Sequence, residues 1–324
     1  MTPLDPALLK AIPAPHPDVA PLPPAAALEA GVRMLRGVPY ALPERVRPLE
    51  LDLWLPAEGS GKEPAPVVLY AHGGAWMRGR RDDLGMRTRD WRPGPFARIA
   101  AAGCAVACVD YRLSGEASFP APLEDLRAAL RWLTRRSAEL GIDTGRTVAW
   151  GESAGGHLAS LLALTRPEPQ PAGSEPRPTP PEPQPAGSEP RPTSAGPPLV
   201  GAVVWYGPSD LTAPRGGFSP ASPDTPEARL LGGAPADVPG LAHAASPLRQ
   251  AHAQAPPFFL AHGAADTMVD PSHSEDLAAA LRQAGGSARL RLVPGADHGW
   301  FGAEESEVDD VFEASLRFVR DVVS

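Results

Sequence analysis

The chain has 324 residues, 43% of them hydrophobic, enough to bury a large core, and α/β folds often run past about 250 residues as one domain. Its formal net charge of −8 repels phosphate backbones and its basic residues are scattered, which argues against nucleic acid as a partner. No apolar run approaches the length of a membrane span and residues 1–31 lack the regions of a signal peptide, so a soluble, cytoplasmic protein with no membrane partner is expected.

Residues 1–36 read as a proline-interrupted N-terminal arm, available as part of a small cap, ahead of a main domain over 37–324. Alternating units follow: LELDLWL (strand), PVVLYAHGGAW (strand and loop), PFARIAAAG (helix), CAVACVDYRL (strand) and PLEDLRAALRWLTRR (helix). Next come TVAWGES (strand and turn), AGGHLASLLAL (helix), LVGAVVWYG (strand) and PPFFLAHG (strand). SHSEDLAAALRQAG (helix), ARLRLVPG (strand) and VDDVFEASLRFVRDVV (helix) complete the chain. The strands are near-continuous apolar runs, as helices on both sheet faces require, and the order predicts an α/β fold with a doubly wound, mostly parallel sheet. In the last helix Val308, Val311, Phe312, Leu316 and Val319 recur at helical spacing and belong to the core.

Residues 167–198 interrupt this pattern. PEPQPAGSEPRPT occurs twice there, with no aromatic residue and no aliphatic one larger than alanine before Leu199. Such a stretch cannot bury enough surface to order itself, so a proline-rich, disordered tandem-repeat insert is expected. Cys104 and Cys108 lie in one strand at a spacing of roughly 13 Å, too far for a disulfide, and read as core thiols.

Chemistry concentrates in four segments. Gly151-Glu152-Ser153-Ala154-Gly155 has the G-x-S-x-G form between a strand and a helix, where a tight turn holds a serine Oγ out at the strand's carboxyl end. His72-Gly73-Gly74-Ala75-Trp76 follows an earlier strand; the amides of Gly74 and Ala75, with that of Ala154, are the expected oxyanion donors. Asp266 and His298 each follow a later strand, and the order Ser153, Asp266, His298 suits a serine nucleophile, an orienting carboxylate and an imidazole base. Asp270, before Pro271, reads instead as a helix cap, and Asp297 as a turn neighbour of His298. His72 and His262 are expected to make structural hydrogen bonds, while Met86, Trp91, Leu211 and Phe218 are candidates to line a compact pocket. No Cys/His cluster has ligand spacing, so neither metal nor cofactor is expected.

Taken together HGGAW, DYRL, GESAGG, HGAADTMV and GADHGW resemble the bacterial esterases of the hormone-sensitive-lipase and bifunctional feruloyl/acetyl-xylan-esterase-like group, over roughly Val38 to Val323 apart from the insert. The resemblance implies an α/β-hydrolase fold, Ser153, Asp266 and His298 as the triad, and Gly74, Ala75 and Ala154 as oxyanion positions. Lipase-like members more often have a third glycine where this chain has Ala75-Trp76, and the H-G-G-x-W form is also similar to that of kynurenine formamidases. The expected function is hydrolysis of small carboxylic esters, short acyl chains favoured, through an acyl-enzyme on Ser153. An aryl formamidase is the alternative; a non-catalytic small-molecule-binding protein on this fold would typically lack a triad member.

Overall fold

The computed structural model describes residues 15–59, 63–165 and 197–324. Among these, nine strands form one sheet: β1 (Ala26–Ala27), β2 (Arg33–Ala41), β3 (Leu49–Leu55), β4 (Ala65–Ala71), β5 (Ala105–Val109), β6 (Ile142–Glu152), β7 (Gly201–Trp205), β8 (Phe258–Gly263) and β9 (Ala288–Val293). Their spatial order is β1-β2-β3-β5-β4-β6-β7-β8-β9. The pairings from β1 to β5 through β3 are antiparallel and all the others parallel. The direction of winding reverses between β4 and β6, and in open α/β sheets the crevice at such a point, outside the carboxyl ends of the strands, is where ligands bind.

The helices are α1 (Pro95–Ala101), α2 (Ala121–Arg135), α3 (Ser137–Leu140), α4 (Ala154–Leu164), α5 (Pro226–Leu231), α6 (Pro239–Ala244), α7 (Ser272–Gln283) and α8 (Glu305–Val323). Alternation along each strand divides the core between them. Val67, Leu69 and Ala71 of β4 pack with Leu123, Leu126 and Leu130 of α2 and Leu158 of α4. Val68 and Tyr70 face the other way, onto Phe96 and Ile99 of α1 and Val311, Phe312 and Val319 of α8. Leu277 and Leu281 of α7 cover β7 and β8. Cys104 and Cys108 are buried and unpaired, as their spacing requires, and burial pushes the Cys104 thiol up to about 11.

Two stretches depart from the sequence reading. β2 runs through Arg36, where that reading ends the arm. Its register shifts between Leu35 and Val38 and again between Pro39 and Ala41, and the adjacent buried residues Met34 and Leu35 break the period of two that Val38 and Tyr40 keep, which shortens the signal that would mark it as a strand. β6 starts at Ile142, five residues before the apolar run, because residues 144–146 bulge between the pairings of Asp143 with Pro66 and of Thr147 with Val67. Earlier in the chain the Pro17 carbonyl accepts from Trp132 Nε1 and Arg136 Nη1, both at 3.0 Å, which ties this part of the arm to the end of α2 remote from the strands' carboxyl ends. Residues 1–14, and the repeat insert except its last two residues, lie outside the described residues.

The tightest packing in the sheet layer lies where α4 meets β4. A Cβ on Gly155 would sit 2.0 Å from the Ala71 carbonyl oxygen, and one on Gly151 2.2 Å from the Gly155 carbonyl oxygen. Both neighbours are backbone and cannot swing away. Gly155→Ala is therefore expected to cost about 3 kcal/mol or more, above the usual range for overpacking. Gly240→Ala, whose Cβ would meet nothing within 4 Å, serves as control. Thermal unfolding of the two variants checks this, and equal melting temperatures would sink it.

Candidate active site

Ser153 is the residue between β6 and α4, at φ 52° and ψ −122°, a conformation that costs a non-glycine residue about 1–3 kcal/mol. The surrounding bonds impose it: the Ser153 amide donates to the Trp205 carbonyl at 2.9 Å, while its own carbonyl accepts the His157 amide at 3.0 Å. A strand that must become a helix within one residue leaves the side chain projecting at the sheet edge.

His298 follows β9 in a short turn that ends with Gly299 and Trp300 at positive φ. Its Nε2 lies 3.0 Å from Ser153 Oγ and its Nδ1 2.8 Å from Asp266 Oδ2. Asp266, on the turn after β8, also accepts the Met268 and Val269 amides at 2.9 and 2.8 Å through Oδ1. Burial works against the Asp266 charge, but hydrogen bonds from His262 and His298 outweigh it and hold the carboxyl well below the usual carboxylate range. Asp266 is thus an anion at neutral pH. His262 Nε2 stands 3.2 Å from Asp266 and 2.9 Å from the Val269 carbonyl, both acceptors, so that nitrogen carries the proton and Nδ1 takes the Ser274 hydroxyl at 2.7 Å.

The two rival carboxylates face elsewhere. Asp297 Oδ1 accepts the amides of Thr267 and His298, both at 2.7 Å, and so fastens the histidine turn to the Asp266 turn. Asp270 accepts the Ser272 amide at the start of α7, as a cap does. His72 is buried and stacked on Tyr111 at 4.4 Å, its ring nitrogen against the Gly73 carbonyl, so its role too is structural.

Gly74, Ala75 and Trp76 turn the loop after β4 through three successive positive φ angles, 113°, 56° and 55°. At Gly74 the requirement is absolute, because a Cβ would lie 2.1 Å from the Arg78 carbonyl oxygen. Among the described residues no backbone acceptor takes the amides of Gly74, Ala75 or Ala154. Their neighbour Gly73 is engaged: its amide donates to Glu152 Oε1 at 2.6 Å. The three open donors flank Ser153 on two turns that Gly155 and Glu152 press together. Of the four pocket candidates, Trp91 and Leu211 lie in the core, Phe218 is half-buried and Met86 is exposed.

Sequence reasoning passed over two neighbours of the site. Tyr206, directly after β7 at φ 39°, packs edge-on against His298 at 4.8 Å and against Trp300 at 4.8 Å, and Trp205 meets Trp300 at 5.4 Å. This aromatic floor carries the histidine turn; its only mark in the sequence is the WYG at a strand end. The other neighbour is Glu152, a variable position of the G-x-S-x-G pattern. Burial pushes its carboxyl up to about 7, against the opposing pull of the Gly73 amide and of His298. The Tyr206 hydroxyl neighbours that carboxylate, and among the described residues it finds no hydrogen-bond partner within bonding distance. Among the described residues no group of three or more His, Cys, Asp or Glu could hold a metal ion, and no helix is long and apolar enough to cross a membrane.

The BD-FAE family model matches residues 51–281, a span that takes in Ser153 and Asp266. Esterase LipQ of Mycobacterium tuberculosis (strain ATCC 25618 / H37Rv) is 31% identical over 252 residues, 76% of this chain and 53% of that protein. Carboxylesterase NlhH of M. tuberculosis (strain CDC 1551 / Oshkosh) is 35% identical over 147 residues, 45% of this chain and 35% of that protein. The chain thus spans about half the length, or less, of these curated relatives. Among solved structures, a truncated carbohydrate esterase from gut microbiota superposes with a TM-score of 0.73 at 25% identity, over 91% of this chain and 98% of that one. Thermogutta terrifontis esterase 2 shares the fold, with a TM-score of 0.64 at 24% identity over 88% of this chain and 93% of the other.

Glu152 yields a test by stability. Between the ordinary glutamate value of 4.5 and about 7 the folded chain holds a proton that the unfolded chain has released. The Glu152 contribution to stability therefore falls as pH rises through that window and is lowest above it. Gln at this position keeps an oxygen for the Gly73 amide and has no charge to bury. The melting temperature of Glu152→Gln should gain on that of the parent as pH rises from about 5 to about 8; parallel curves would contradict the buried carboxylate.

Proposed function

Since the chain belongs to the BD-FAE family, we propose that it hydrolyses small carboxylic esters through an acyl-enzyme on Ser153, with His298 as base and Asp266 as the carboxylate that orients it. The observation that carries this reading is the unbroken line of hydrogen bonds from Asp266 Oδ2 through His298 to Ser153 Oγ. The carboxylate keeps the Nδ1 proton of His298 in place, which leaves the Nε2 lone pair for the serine proton. Ser153 Oγ then bonds to the acyl carbon and the carbonyl oxygen becomes an anion, stabilised by the amides of Gly74, Ala75 and Ala154. Collapse expels the alcohol, which takes the proton from His298. Water, deprotonated by His298 in turn, attacks the acyl-enzyme and releases the acid with Ser153 restored.

The esterase names of LipQ and NlhH support an ester as the substrate class. Short acyl chains are favoured because, among the described residues, the segment between β7 and β8 carries no helix longer than six residues and no long apolar lid. The aryl formamide alternative rests on Trp76. That residue is 2% exposed, too deeply buried to touch a substrate, so it favours neither reading.

Ser153→Ala, His298→Ala and the double variant should each lose about ten-thousandfold or more in kcat, and by nearly the same factor, because the groups act as one unit. Asp266→Asn should keep the fold and lose a similar order, since the amide favours the wrong imidazole tautomer, while Asp270→Asn should stay within about threefold of the parent. Activity retained in Asp266→Asn would displace it as the orienting acid. A side-by-side assay of p-nitrophenyl acetate, butyrate and octanoate, an acetylated xylo-oligosaccharide and N-formylkynurenine tests the substrate class. The short esters are expected to give the highest kcat/KM, and a preference for the formamide would replace the ester reading.

A further inference from the structure

The oxyanion loop has a feature that the triad does not explain. Ala75 and Trp76 are consecutive non-glycine residues at positive φ, each in a conformation costly for a side chain, where a third glycine would carry no such cost. Something must hold them. The Trp76 carbonyl accepts the Ser114 amide at 2.8 Å, and the indole, buried to 2% exposure, donates from Nε1 to His157 Nδ1 at 3.2 Å. The two rings meet nearly perpendicular, at 82° with centroids 5.0 Å apart.

His157 stands on the first turn of α4, four residues after Ser153, and is fully buried. Its Nε2 lies 2.7 Å from the Ala245 carbonyl, which can only accept. The proton therefore sits on Nε2 and Nδ1 presents a lone pair, the partner that an indole N–H needs. Burial lowers the His157 pKa to about 4, so the ring keeps this neutral form at physiological pH. Through this one ring the nucleophile helix is joined to the oxyanion loop on one side and, on the other, to the segment between β7 and β8.

We propose that the Trp76–His157 hydrogen bond is a positioning device, with His157 a positioning residue that holds the Gly74 and Ala75 amides where the oxyanion forms. The proposal rests on the esterase reading above. An oxyanion donor counts only where charge develops in the transition state, so a displaced donor lowers kcat far more than it raises KM. Loss of the bond displaces the donors without removing them, and an effect of about ten- to hundredfold in kcat is expected.

The experiment compares Trp76→Phe, which keeps a buried ring and removes the N–H, with His157→Leu, which removes the acceptor, and His157→Gln, which supplies both an acceptor and a donor. For each, kcat and KM on p-nitrophenyl acetate are referred to the serine titrated by exhaustive fluorophosphonate labelling, so misfolded protein does not count. Inhibition by phenylboronic acid, whose tetrahedral serine adduct places an oxygen at the oxyanion position, is measured alongside. Trp76→Phe and His157→Leu should lose about ten- to hundredfold in kcat per labelled serine, with KM within about twofold and boronate binding weakened in step. His157→Gln should recover most of the loss, and because His157→Leu leaves the indole in place, it carries the test if Trp76→Phe does not fold. Lower melting temperatures with kcat per labelled serine and boronate binding unchanged would reduce the pair to packing and overturn the proposal. A parent chain that neither labels nor cleaves any ester would overturn the esterase reading and this proposal with it, an outcome distinct from an active parent with unaffected variants.

Discussion

The backbone of Ser153 is held in a conformation it would not choose, and the rest of the site is arranged around that constraint. Turning from strand to helix at φ 52° exposes the hydroxyl, and it requires α4 to start directly against the end of β4. Only glycine at 155 permits that approach, because the Ala71 carbonyl occupies the place of a Cβ. The same approach brings the loop after β4 within reach of Glu152 and His157, which hold it at Gly73 and Trp76.

The imidazole side of the site is built on a different principle. Asp266 and His298 stand on turns after neighbouring strands, β8 and β9, and the register between those strands sets their spacing. Two devices refine it: Asp297 clasps the two turns together by accepting amides from both, and Tyr206 with Trp300 forms a floor of edge-on rings beneath His298. The buried charge of Asp266 is tolerable because four donors converge on it, from His262, His298 and the amides of Met268 and Val269. The Asp266–His298 pair is thus tied to β8 and β9, and the loop of Gly73 to Trp76 to the end of β6 and the start of α4.

Much of this was legible in the sequence. The parallel strands appear as apolar runs because both their faces are covered. Ser153, Asp266 and His298 stand out because each lies on the turn that follows such a run, where a parallel sheet presents its carboxyl ends. β2 was illegible for the opposite reason, since a strand whose register shifts within nine residues keeps its alternation over only half its length. Trp91 and Leu211 looked like pocket residues because an apolar residue in a loop does not announce which way it points; both turned inward.

By itself the sequence determined which chemical groups the site holds and in what order, since residue type, strand period and turn glycines are local properties. The tertiary structure decided the partnerships: Glu152 with Gly73 across 79 positions, Trp76 with His157 across 81, and Ser153 with His298 across 145. None of these pairs leaves a periodic trace along the chain. They exist only once the strands are laid side by side, because a hydrogen bond is decided by a few tenths of an ångström, and that precision comes from the packed sheet and not from the spacing of residues in sequence.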